Sequence, residues 1–241
     1  MEEKKAQREA VAALLSGRAA VYALLARLWA DPLDEAALQA LVASDWDEVL
    51  PLLDDEAMTL VRGHAAVAAV AQQQGLAESQ RSFNWCFIGI GTRVAPWESV
   101  YVGTDRLIMQ PSTLAVREAY ARAGFAARNK GAEPDDHVAT ECDFMAKLAA
   151  RAQESFRAED AAACEEALAA SREFLKEHLA RWADDFAAAF SEEVAKATAE
   201  EPSPLADQAG AFYGAVAAFA RDFYQADLTL LDELVSAGVL S

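Results

Sequence analysis

The chain has 241 residues, 54% apolar and 25% charged, a globular rather than a disordered or fibrous composition. Acids outnumber bases 39 to 21, for a formal charge of −18. That balance excludes nucleic acid as an expected partner, because phosphate binding is driven by basic residues, and it favours basic partners.

The first helix is expected from about Gln7 to Trp29, where Val11, Leu14, Leu15, Val21, Tyr22, Leu25, Leu28 and Trp29 recur at three- and four-residue spacing. No signal-peptide pattern opens the chain, and no run reaches the ~18 uninterrupted apolar residues that span a bilayer. A cytoplasmic protein without membrane insertion is therefore expected. The three cysteines (Cys86, Cys142, Cys164) lie far apart in sequence and suit that reducing compartment, matching neither a disulfide framework nor a metal knuckle.

Asp31-Pro32 stops the first helix, and Asp34 can cap a second running to about Val42. Ser44-Asp45-Trp46 starts a short piece ended near Pro51. A further helix covers about Asp54 to Gln74, with Gly75 as its C-cap. The texture then changes. Phe83 to Gly91 begins as the end of a helix, but Pro96 follows two glycines, so Thr92 to Tyr101 cannot be helical throughout. Aromatic residues crowd this loop. Either Trp97 and Tyr101 pin it to the core, or it lines a binding groove.

Val102 to Gln110 reads as a short extended piece turning at Gly103-Thr104-Asp105. Pro111-Ser112-Thr113 opens a helix to about Ala123, closed by Gly124. Residues 125–132 are basic and linker-like. A helix then continues to about Phe156, another runs from Ala161 to about Phe190 with a break near Leu179, and Glu200 to Pro204 interrupts again. The last helix extends from about Leu205 to Leu234. With no internal repeat and no alternating β-branched run, the fold class is all-α, a single domain of roughly eight to ten helices over residues 1–241.

Nucleophile elbows, phosphate loops, dinucleotide fingerprints and zinc-protease motifs are absent from the sequence, and His64, His137 and His178 are widely dispersed. No enzyme activity, metal or cofactor is expected. The stretch Glu133-Pro134-Asp135-Asp136-His137-Val138-Ala139-Thr140-Glu141-Cys142-Asp143-Phe144-Met145 is more informative. Pro134 suits a first helical turn, and Glu133, Asp135 and Asp136 suit the positive end of a helix dipole. Glu141 is not explained in this way. Positions 137, 141, 144/145 and 148 share a face, which puts a histidine and a carboxylate among Phe144, Met145 and Leu148. A charge buried there is costly unless paired. The partner is either an arginine elsewhere in the chain or a cation from outside.

Several segments resemble the TorD/DmsD family, cytoplasmic maturation chaperones for molybdenum-containing reductases. They are Pro96-Trp97-Glu98-Ser99-Val100-Tyr101, then Ser112-Thr113-Leu114 with Tyr120 and Gly124, then Glu133-Pro134-Asp135-Asp136-His137 with Glu141, Phe144 and Met145. Cys142 stands where leucine is usual. The aromatic run Phe83 to Gly89, Glu177-His178-Leu179 with Trp182, and Phe212-Tyr213 are similar to further family segments, so the resemblance covers about Gly17 to Asp232.

The resemblance implies an all-helical chaperone with no chemistry of its own, a monomer or a domain-swapped dimer in which residues 125–132 would be the natural hinge. It would bind the twin-arginine signal peptide of an apo-molybdoenzyme, a reductase of the dimethyl sulfoxide or trimethylamine N-oxide type, and delay export until cofactor insertion. It implies peptide binding by Phe83, Phe87, Pro96, Trp97, Asp136 and His137; Glu98, Ser99, Tyr101 and Glu141 join them from the same two motifs. Gln110-Pro111 replaces a glycine found in several members, so that part of the pocket does not carry over. The chemistry fits: paired guanidiniums need carboxylates, for which Asp136 and Glu141 are candidates, and an apolar segment needs a groove, for which Phe83, Phe87 and Trp97 are candidates. The alternatives are an assembly chaperone of the nitrate-reductase type for a client that is not exported and a small-molecule or nucleotide-binding protein using the same groove. A further one is a plain helical scaffold whose acids pair internally.

Overall fold

A computed structural model of the chain describes residues 2–43, 55–88, 92–127, 131, 133–199 and 201–238. The helices are α1 (Glu2–Ala30), α2 (Glu35–Ala43), α3 (Asp55–Phe87), α4 (Glu98–Val102), α5 (Pro111–Arg122), α6 (Val138–Arg157), α7 (Ala161–Glu177), α8 (Leu179–Thr198), α9 (Pro204–Ala209) and α10 (Ala215–Ala237). A π turn, Gly210–Gly214, joins α9 to α10 as one continuous helix. There is no strand among the described residues, and the fold is all-α. The short helix expected at 44–51 lies outside the described residues, as does part of the expected hinge (128–130 and 132).

The apolar stripe of α1 buries Leu14, Leu15, Val21, Tyr22, Leu25 and Leu28, and α1 packs most extensively along α6. By length and composition Lys5–Ala30 could cross a membrane. Its place in the fold explains that apolarity instead, because it carries a buried ion pair to the last helix. Arg18 Nε donates to Asp227 Oδ1 at 2.5 Å and its Nη2 to Oδ2 at 3.1 Å, while the Tyr22 hydroxyl donates to Oδ2 at 2.7 Å. Burial pushes the Arg18 pKa down, but the Asp227 carboxylate more than offsets it, so the guanidinium stays charged.

The caps behave locally. Asp34 Oδ1 accepts the Ala37 N–H at 2.7 Å and starts α2. Gly75 leaves helical geometry where a helix end is expected. Its backbone (φ 74, ψ −179) separates two helical segments that meet at a kink within α3, and the second segment carries Phe83 and Phe87. The extended piece expected over 102–110 is also corrected. Residues Glu98–Val102 form α4, and the chain then bends sharply through Arg106 (φ 51) and Met109 (φ 60). A different glycine allows a close approach: a Cβ on Gly210 would lie 2.5 Å from Val194 Cγ2, so α9 and the π turn can settle on α8 only without one.

The break expected near Leu179 falls at His178 (φ −124, ψ −97), between α7 and α8. That placement turns His178 and Trp182 inward beside α4.

Candidate functional site

The two stretches singled out in the sequence are hydrogen-bonded to each other. The Pro96 carbonyl accepts the Val138 N–H at 2.8 Å, and the Asp136 carbonyl accepts the Glu98 N–H at 3.0 Å. This is an isolated antiparallel bridge with Trp97 opposite His137. Asp136 Oδ2 also accepts the Ser99 N–H at 2.8 Å. Asp136 therefore caps α4 across space, satisfying donors that a five-residue helix leaves open.

This corrects the expected role of the acidic stretch. Pro134 precedes the helix rather than lying in its first turn, because α6 begins only at Val138, and the N-cap is His137, whose Nδ1 accepts the Ala139 N–H at 3.1 Å. Asp135 is held by Arg117 (Nε to Oδ2, 2.6 Å), and its carbonyl accepts the Tyr120 hydroxyl at 3.0 Å. Glu133 is exposed and accepts the Trp97 indole N–H at 2.7 Å. Burial lowers the His137 pKa against the raising effect of Glu133 and Asp136, which suits a ring that must accept a hydrogen bond.

Behind this clasp the structure buries three acids completely: Glu98, Asp136 and Glu141. Glu98 Oε2 lies 2.9 Å from His178 Nδ1. Glu141 sits against Glu98 and the Trp182 indole, close enough for electrostatic coupling, although neither of its oxygens completes a hydrogen bond. No arginine of the described residues reaches it. Burial first, then the charges of Glu98 and Asp136, push its pKa well above the ordinary carboxyl range. Among the described residues neither expected partner is present, and burial favours the protonated form of Glu141.

Of the candidate residues, Pro96, Glu98, Ser99, Asp136 and Glu141 are buried in or under the clasp, and Trp97 and His137 are half-buried at its surface, their rings edge to face at 6.0 Å. An incoming guanidinium can touch Asp136 or Glu141 only if the clasp parts. Tyr101 stacks on Trp182 (centroids 5.3 Å apart, 19° between planes) and donates to the Ala95 carbonyl at 2.8 Å. Phe83 is buried and Phe87 half-buried in an adjoining aromatic nest with Trp29 and Tyr213. Phe186 joins this nest to Tyr101 through ring contacts with Trp29 and Tyr101.

Residue-level reading gave no role to His178, Arg117 or Tyr120, which orient the buried acids Glu98 and Asp135, or to Trp182, which packs beside Glu141. Besides the family resemblance, the signal for His178 and Trp182 was the break after Glu177 with a histidine and a tryptophan one turn apart. Among the described residues no group of three or more His, Cys, Asp or Glu side chains is arranged to hold a metal ion.

The sequence profile of the family described as nitrate reductase delta subunit matches residues 22–188, which include the whole clasp. Chaperone protein TorD of Vibrio cholerae serotype O1, strain Classical Ogawa, is 32% identical over 140 residues, 58% of this chain and 56% of its own length. TorD of the El Tor Inaba strain is 32% identical over 139 residues, 58% and 55% of the two chains. The chain thus spans little more than half the length of the curated relatives it matches.

Proposed function

Because the chain belongs to the nitrate reductase delta subunit family, we propose that it is a cytoplasmic maturation chaperone with no chemistry of its own. Its client is the apo form of a molybdenum-containing reductase of the dimethyl sulfoxide or trimethylamine N-oxide type. It binds that client's twin-arginine signal peptide and delays export until the cofactor is in place. The similarity to TorD chaperones supports the chaperone role.

One observation carries the placement of the site: the motifs of the family resemblance, some forty residues apart, are closed into one clasp by backbone hydrogen bonds. Its outer side offers the Trp97 ring, the His137 imidazole and the Glu133 carboxylate, a set suited to an apolar segment beside a cation. Asp136, Glu98 and Ser99 set the position of that surface from below. Calorimetric titration with a synthetic twin-arginine leader tests the reading. Trp97→Ala and His137→Ala are expected to weaken binding at least tenfold, within the range of interface hot spots; unchanged affinity in both removes the clasp from the site.

The description of the matching profile favours a second reading, assembly of a nitrate reductase that is not exported. Identifying the captured client and inspecting its N-terminus separates the two, because a client without paired arginines excludes the export role.

A further inference from the structure

Beside the clasp a groove of about 380 Å³ runs between α5, α6 and α7. It exists because small residues line it: Ala115, Ala119 and Ala123 at four-residue spacing on α5, and Ala167 and Ala170 on α7. Phe144, Leu148 and Phe174 form an apolar floor. The rim is acidic. Glu173 is engaged by Arg122 at 3.2 Å, and Arg151 is engaged by the Ala123 carbonyl at 2.9 Å and by the Phe125 ring. Glu118, Glu166 and Glu177 are exposed and make no ion pair among the described residues.

The groove reaches His178, only 7% exposed, whose Nδ1 holds Glu98 under the clasp and whose Nε2 makes no hydrogen bond among the described residues. Groove and clasp therefore meet at His178.

We propose that this groove seats the paired arginines of the client leader, with their aliphatic stems on the alanine and phenylalanine floor and their guanidiniums on Glu118, Glu166 and Glu177. Arginine suits such a channel because its stem packs on apolar surface while its head takes two carboxylate contacts. The proposal rests on the reading that the chain binds a basic leader, and it supplies accessible carboxylates in place of the buried Asp136 and Glu141.

The test uses a synthetic peptide of two arginines followed by a leucine-rich segment, and its counterpart with two glutamines. Both are titrated by calorimetry, at low and high salt, against four proteins. These are the native chain, the triple variant Glu118→Gln/Glu166→Gln/Glu177→Gln, Trp97→Ala, and a control with Glu35, Glu201 and Glu233 changed to glutamine, which also lie outside the core. The groove variant is expected to bind the arginine peptide about tenfold more weakly and to lose most of the preference for arginine over glutamine, while the control retains both. Native-like affinity and salt dependence in the groove variant overturn the proposal. Equal losses in groove variant and control do so as well, because they reduce the effect to overall charge. If the groove variant is native-like while Trp97→Ala fails, the leader reading stands without this groove. If the native chain binds neither peptide, both readings fall.

Discussion

Replacing Glu141 with glutamine should stabilise the protein by an amount that grows with pH. Glu141 is fully buried, with Glu98 on α4 and Asp136 before α6 as acidic neighbours, Tyr120 reaching toward it from α5 and Trp182 from α8. Its folded pKa lies above the unfolded value, which is about 4.3 for a free glutamate. Below that value both states hold the proton and the group is neutral in its effect. Above it the unfolded chain releases the proton while the folded chain retains it, so stability falls by about 1.4 kcal/mol per pH unit until the folded pKa is reached. Glutamine has nearly the same shape and no proton to lose. For a carboxyl that stays protonated, the difference between variant and native chain should widen by about 2 kcal/mol from about pH 5.5 to about pH 7. Denaturant unfolding of both proteins across that range measures it. A difference that is flat, or that shrinks as pH rises, would show Glu141 ionised and paired and would refute the reasoning.

Removing Asp227 should be among the most damaging single changes, because it leaves Arg18 charged in the core without its partner; Asp227→Ala is expected to lower unfolding free energy by about 3–5 kcal/mol. Gly210→Ala should cost about 1–3 kcal/mol by forcing a methyl against Val194, and a Val194→Ala background should recover most of it, as measured in a double-mutant cycle. Cys86, Cys142 and Cys164 are all fully buried, and burial raises their thiol pKa values. An alkylating reagent at neutral pH should modify none of them in the native chain and all three after denaturation, as read by mass spectrometry.

Helical periodicity is a strong signal when a helix has one apolar face against one core, which is why α1, α5, α6 and the α7–α8 break were readable to within a few residues. Gly75 has the features of a helix end, and its backbone does leave helical geometry there, between two helical segments that meet at a kink. The short helix at 98–102 was not legible because a distant residue overrides local chemistry there. Residues 98–102 are too few to nucleate a helix on their own. They form α4 because Asp136, thirty-seven residues later, receives the Ser99 N–H. No local pattern in 98–102 can announce a cap that the chain supplies from elsewhere.

The same point applies to the site. Carboxylates at 136 and 141 within a basic-peptide motif invite a direct reading as arginine ligands, and composition alone offers no objection in a chain of charge −18. Burial does. A carboxylate under the clasp fixes the clasp itself: Asp136 caps α4, Glu98 ties the same short helix to His178, and Glu141 lies buried beside them with its pKa pushed well up by burial. In the proposed site the motif is thus mostly the inner side of the surface, with Trp97, His137 and Glu133 on its outer side. The carboxylates free to meet a cation lie on α5 and α7 among alanines, residues individually too ordinary to mark a site, and only the packing of three helices brings them to one groove.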